Sequence, residues 1–383
     1  MLLSIIICFH ASIDWLGSEF KEVIQYMKCI IRSTAVLISL FIVTVIAPVA
    51  AQDAPLTLTL VGYAVPREAY GAIIPAFQAK WLEEKKQQVT ILESYGASGS
   101  QSRAVAGGFE ADMVSLSIEP DVTRLVDAGL ITHDWKANDY KGFVTNSLVV
   151  LAVRPDNPKN IHDWADLAQD GLEVITPDPA TSGGAQWNIL AAYGAARRGH
   201  VNGFEASDAG ATEFLTKLIS NVAAFDKDGR ESFLTFERGV GDVAMTYENE
   251  VYAGLQSGGQ YEIVYPTSTI LIENPVALVD TYVDKHGTRE VAEAFMTYLW
   301  SAEGQAIFAQ HGFRPVNADV AKTYKVGVEA TPAPDAAPGT VALIYPPVAD
   351  PFTIEEFTTW DDARKTFFGD DGSITQLISS IKG

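Results

Sequence analysis

Three times along this chain a short strand-like run breaks at a turn rich in glycine or serine and then becomes a helical pattern. The turns are Gly62-Tyr63-Ala64-Val65-Pro66, Ser94-Tyr95-Gly96-Ala97-Ser98-Gly99-Ser100-Gln101 and Thr181-Ser182-Gly183-Gly184-Ala185. Residues 56–61 alternate as a strand that Gly62 stops. Residues 66–85 then repeat with helical period, placing Tyr70, Ile73, Ile74, Phe77 and Trp81 on one face. A strand at 89–92, a helix at 101–106 and a strand at 112–116 follow. A second series begins with the continuous apolar run 148–153. It continues through a strand at 174–175, helices at 183–197 and 211–219, and strands at 243–246, 262–265 and 276–279. Helices at 289–300 and 302–311 close it. Residues 330–340 are Pro/Ala-rich and read as a loop insertion, and the C-terminus returns to helix. Strands alternating with helices predict a mostly parallel sheet covered on both faces.

A chain of 383 residues is long for one core and comfortable for two. No linker separates the two series, so they read as two α/β lobes joined by chain crossings. The net charge of −21 argues against nucleic acid as a partner, because a polyanion requires a basic surface. Near the N-terminus, Lys28 and Arg32 precede an apolar run at 35–46, followed by Pro48-Val49-Ala50-Ala51. This is the pattern of a secretory signal peptide spanning 1–51 and cleaved after Ala51, with Met27 as an alternative start. An uncleaved anchor is the competing reading, but the run is shorter than the about 20 residues a spanning helix needs. Both cysteines, Cys8 and Cys29, precede that cleavage site. A mature chain would carry no disulfide, thiol chemistry or cysteine-bound metal.

A helix start offers free N–H groups and the positive end of the helix dipole. Glycine allows close backbone approach, and serine adds a hydroxyl that donates or caps. Three such starts facing one cleft would bind a small oxyanion without a cationic side chain. Any one turn alone is more often a simple cap. Sulfate carries no proton near neutrality and needs donors only, whereas phosphate keeps a proton and favours a site with an acceptor. No Asp or Glu lies in the three turns.

The segment from Ile175-Thr176-Pro177-Asp178-Pro179 through Ala180-Thr181-Ser182-Gly183-Gly184-Ala185-Gln186-Trp187-Asn188 resembles the signature of bacterial sulfate/thiosulfate-binding proteins. So does Glu237-Arg238-Gly239-Val240-Gly241-Asp242-Val243 with Glu248-Asn249-Glu250 behind it. The turn at 95–101 matches more loosely, Tyr63 with Arg67-Glu68 match the family's first loop, and Arg314-Pro315 with Ala318-Asp319-Val320-Ala321 match a late segment. The resemblance implies a type II periplasmic-binding fold and capture of a dianion for the membrane permease of an ABC importer. It implies no cofactor and no metal. Carried over by position, the donors would be the N–H groups of Ala64, Ser98, Gly183, Gly184 and Gly229 and the Ser182 hydroxyl. Arg67 and Arg230 are the nearest cations, and each either reinforces the field from behind or serves as a structural ion pair. Three departures stand out. Ala64 replaces the family's usual aspartate, the loop around Gly229 is one residue shorter, and Tyr247 replaces a tryptophan whose ring N–H donates to the anion. A phenol can accept as well as donate.

The lobes expected are 54–144 plus 269–383 and 145–268, in a periplasmic or otherwise extracytoplasmic monomer. The alternatives are a receptor for molybdate, tungstate or phosphate, a membrane-tethered form of the same receptor, and an exported serine hydrolase using Ser98. The last lacks the closing glycine of a Gly-x-Ser-x-Gly elbow. The histidines, His10, His133, His162, His200, His286 and His311, show no metal-ligand spacing.

Overall fold

The computed structural model describes residues 55–328 and 345–382, together with positions 23 and 25. The expected leader with Cys8 and Cys29, and the 330–340 segment, lie outside the described residues.

The chain opens with β1 (Leu56–Tyr63), α1 (Arg67–Lys85), β2 (Val89–Gly96), α2 (Ser98–Ala106), β3 (Met113–Ser115) and α3 (Glu119–Asp127). Gly62 does not stop β1. The strand runs through it because a Cβ there would stand 2.6 Å from the Tyr95 ring, so glycine lets the two strands pair. The predicted apolar face of α1 is buried. Its Pro75 lies on the exposed outer face.

The long β4 (Phe143–Val153) comes next, followed by β5 (Val174–Pro177), α4 (Gly183–Arg197), α5 (Asp208–Ser220), β6 (Val222–Asp226) and α6 (Gly229–Glu237). Then come β7 (Val243–Tyr247), α7 (Glu248–Gln256), β8 (Glu262–Val264) and the second long strand, β9 (Ser268–Leu278). The chain continues with α8 (Asp280–His286), α9 (Arg289–Trp300), α10 (Ala302–Gln310), β10 (Arg314–Pro315) and α11 (Ala318–Thr323). It ends with β11 (Asp350–Phe352), α12 (Trp360–Ala363) and α13 (Ser373–Lys382).

The sheet runs β2-β1-β3-β9-β4-β7-β5-β6. Its two ends are parallel, β1 with β2 and β3, and β5 with β6 and β7. Its middle is not: β9 lies antiparallel to β3 and β4, and β4 antiparallel to β7. The expectation of a mostly parallel sheet is thus corrected to a mixed one, since apolar periodicity identifies a buried strand but carries no information on its direction. Each long strand belongs to both halves. The first part of β4 pairs with β9 and its last part with β7, while β9 passes from β4 to β3.

The C-terminal segment lies along α4 and α5. Trp360 meets Trp187 edge to face at 4.5 Å, Phe367 meets Tyr193 at 4.9 Å, and Phe352 fills the space a side chain at Gly194 would take. Arg198 pairs with Asp350 at 2.5 Å, and Lys382 Nζ donates to the carbonyls of Ser220 and Val222.

Candidate anion-binding site

The strands deliver their turns to one place. Ala64 and Val65, after β1, and Gly96 at the end of β2 with Ala97 and Ser98 beyond it, line a small cavity together with Ser117 after β3. Ser182 and Gly184 reach it from the start of α4, and Asp228 and Gly229 from the start of α6. Tyr63 completes the wall. The cavity is small: about 210 Å³ of empty space, part of it open to solvent. No Lys or Arg lines it.

Three helices begin here. The first turns of α2, α4 and α6 expose the N–H groups of Ser98, Gly183, Gly184 and Gly229, positions where a helix supplies no internal acceptor. Each start also brings the positive end of a helix dipole. The expected start of α2 at residue 101 moves to Ser98. Ser98-Gly99-Ser100 is therefore the first turn of the helix itself, since small side chains there do not obstruct it. Gly99 N–H is already used: it donates to the Thr181 carbonyl at 3.2 Å and ties the starts of α2 and α4 together.

The hydroxyls differ in what they can offer. Ser98 Oγ donates to Asp121 at 2.6 Å and accepts from Ser117 N–H at 2.9 Å, which leaves the residue its backbone donor alone. Ser182 Oγ accepts from Ala185 N–H at 3.3 Å as the cap of α4 and keeps its own proton to donate. Asp228 caps α6 by accepting from Glu231 N–H at 2.9 Å.

Of the residues singled out from sequence, Ala64, Ser98, Ser182, Gly184 and Gly229 line the cavity. Gly183 sits beside it, so close to Ser117 that a Cβ would approach its hydroxyl to 2.9 Å. Tyr247 lies one layer behind, its phenol 2.8 Å from Ser117 Oγ. Neither arginine reaches the wall. Arg67 lies over the Tyr95 ring at 5.9 Å. Arg230 pairs with Glu68 and, at 3.2 Å, with Glu250. Burial pushes Glu250 up to about 7, against the pull of Arg230. Ser117 and Asp228 were missed. Ser117 occupies a fourth strand–turn–helix, whose signal is Pro120 at the helix start. Asp228 with Glu231 three residues on is the spacing of a helix cap.

Among the described residues no group of His, Cys, Asp and Glu is placed to hold a metal, and no helix is long and apolar enough to cross a membrane. The bacterial extracellular solute-binding protein model matches residues 58–314. The chain belongs to this family of solute-binding proteins. Among its relatives, a sulfate-binding protein of Synechococcus elongatus is 40% identical over 330 residues, 86% of this chain and 88% of that one. A thiosulfate-binding protein of Pseudomonas aeruginosa is 36% identical over 337 residues, 86% of this chain and 94% of that one. The solved structure of the sulfate-binding protein SubI from Mycobacterium tuberculosis is 38% identical, with a TM-score of 0.71 over 82% of this solute-binding protein and 99% of SubI. At that similarity the two share a fold, the mixed α/β architecture of periplasmic binding proteins.

Proposed function

We propose that this protein is a non-enzymatic extracytoplasmic receptor, exported by a cleaved signal peptide, that captures sulfate or thiosulfate for an ABC importer. The observation that carries the reading is the convergence of three helix starts, with the turn after β1, on a small cavity lined by serine and glycine and by no cation. Fixed N–H dipoles in a water-poor cleft bind a dianion without neutralising it. The names carried by the relatives support the same ligand class.

The donors are the N–H groups of Ala64, Ser98, Gly183, Gly184 and Gly229 and the hydroxyl of Ser182. Lobe 1 comprises 54–144 and 269–383 and lobe 2 comprises 145–268, with β4 and β9 as the crossings and the C-terminal segment strapped over α4 and α5. Arg230 joins α6 to Glu68 of α1, so its ion pair spans the cleft and favours the closed state. The anion adds contacts available only when both lobes face it, which shifts the open–closed equilibrium toward docking on the permease.

One observation favours a second reading. Asp228 on the cavity wall is an acceptor, which suits an oxyanion that retains a proton, such as phosphate. Titration calorimetry of residues 52–383 with sulfate, thiosulfate, molybdate and phosphate separates the two. One-to-one sulfate binding that persists at alkaline pH supports the first reading. Binding of phosphate alone, or of no oxyanion, overturns it.

A further inference from the structure

Ser117 is held on three sides. Its N–H donates to Ser98 Oγ at 2.9 Å, and its carbonyl accepts from Trp187 Nε1 at 2.9 Å and from Asn274 Nδ2 at 3.0 Å. The first turn of α4 closes on its side chain, since a Cβ at Gly183 would stand 2.9 Å from Ser117 Oγ. The open direction for the hydroxyl is the cavity, which Ser117 lines. Behind it stands the phenol of Tyr247 at 2.8 Å.

We propose that the Ser117–Tyr247 pair sets the selectivity of the cavity against protonated oxyanions, the phenol donating to Ser117 Oγ and thereby turning the serine's own proton toward the ligand. This rests on the reading of the cavity as an oxyanion site. Tyr247 is only 2% exposed, and burial raises its phenol well above the ordinary range, so it keeps its proton. Ser117 Oγ stands within reach of that proton at 2.8 Å. The neighbouring Asn274 is committed on both sides of its amide, its Nδ2 donating to the Ser117 carbonyl at 3.0 Å and its oxygen accepting from Thr145 Oγ1 at 3.2 Å. A phenol is also a stronger donor than an alkyl alcohol, which favours the order Tyr247 to Ser117 to ligand.

Sulfate meets a donor at this point of the wall. Hydrogen phosphate that brings its own proton here meets a proton facing a proton. Replacing Tyr247 by phenylalanine removes the donor behind Ser117 and frees its hydroxyl to rotate, so that a lone pair can face the cavity. Tyr247 touches the ligand only through Ser117 and is a positioning residue.

The test is calorimetric titration of wild type, Tyr247→Phe, Ser117→Ala and the double variant with sulfate and with phosphate, at mildly alkaline pH where phosphate is its singly protonated dianion. Tyr247→Phe should weaken sulfate binding about tenfold, the scale of one hydrogen bond to a charged group. It should leave phosphate binding unchanged or stronger, so the sulfate-to-phosphate preference falls by about tenfold or more. Adding it to Ser117→Ala should change little further, because the phenol acts through that serine. A folded Tyr247→Phe protein that keeps the wild-type preference overturns the inference. Should that variant not fold, an unchanged preference in folded Ser117→Ala overturns it equally. A wild type that binds no oxyanion would instead remove the functional reading on which the pair's role depends.

Discussion

At the scale of single residues, the candidate site depends on what is missing from side chains. Gly183→Ala should cut sulfate affinity by more than about tenfold, because its Cβ would meet Ser117 at 2.9–3.0 Å and Ile118 at 3.1 Å. Alanine is the better helix former by up to about 1 kcal/mol, so a loss of binding with melting nearly unchanged would place the effect in the site. Asp228→Asn keeps an N-cap while removing a negative charge from the wall. Sulfate affinity should rise by about tenfold, equivalent to about 1.4 kcal/mol, and calorimetry would detect it. The turns that hold Ala64, Ser98 and Ser182 were legible in the sequence because glycine and serine at a strand–helix junction carry a local signal, whereas Gly229 came only from the family resemblance. Ser117 and Tyr247 were harder to read. Their pairing joins positions far apart in the chain, and only folding sets that distance.

At the scale of elements, legibility followed the strength of the local signal. The helices Gly183–Arg197 and Arg289–Trp300 have the limits their periodicity predicts. Residues 268–275 of β9 escaped notice because Ser268-Thr269 and Glu273-Asn274-Pro275 look like loop, yet the strand is buried and paired over most of its length. The C-terminal segment gave no hint of its partner either, since aromatic residues do not say which surface they cover. Phe352→Ala should cost about 3 kcal/mol in denaturant unfolding, as expected for a buried aromatic removed from a tight contact. Arg198 holds the Asp350 carboxyl down to about 2. A lowered carboxylate contributes stability above its ordinary value that is lost as pH falls toward about 2. Asp350→Asn should therefore lower the melting temperature near neutral pH and flatten the acid limb of its pH profile.

At the scale of the whole molecule, the Glu68–Arg230–Glu250 cluster links three helices, α1, α6 and α7. Burial raises Glu250 from 4.5 to about 7, so between those values the folded state holds a proton that the unfolded chain has released. Stability from this group is full below the lower value and declines as pH rises through the upper one. Unfolding free energy should fall between about pH 4.5 and 7, and Glu250→Gln should remove that slope. A slope unchanged in the variant would assign the pH response to other groups. The mixed sheet has a further consequence. Leu148 pairs with Leu271 at its centre, so the middle of the molecule cannot zip up until most of the chain has been made. Contacts this distant in sequence slow folding, because loop closure precedes the reward of pairing. The same two strands that unite the halves therefore tie completion of the central sheet to completion of the chain.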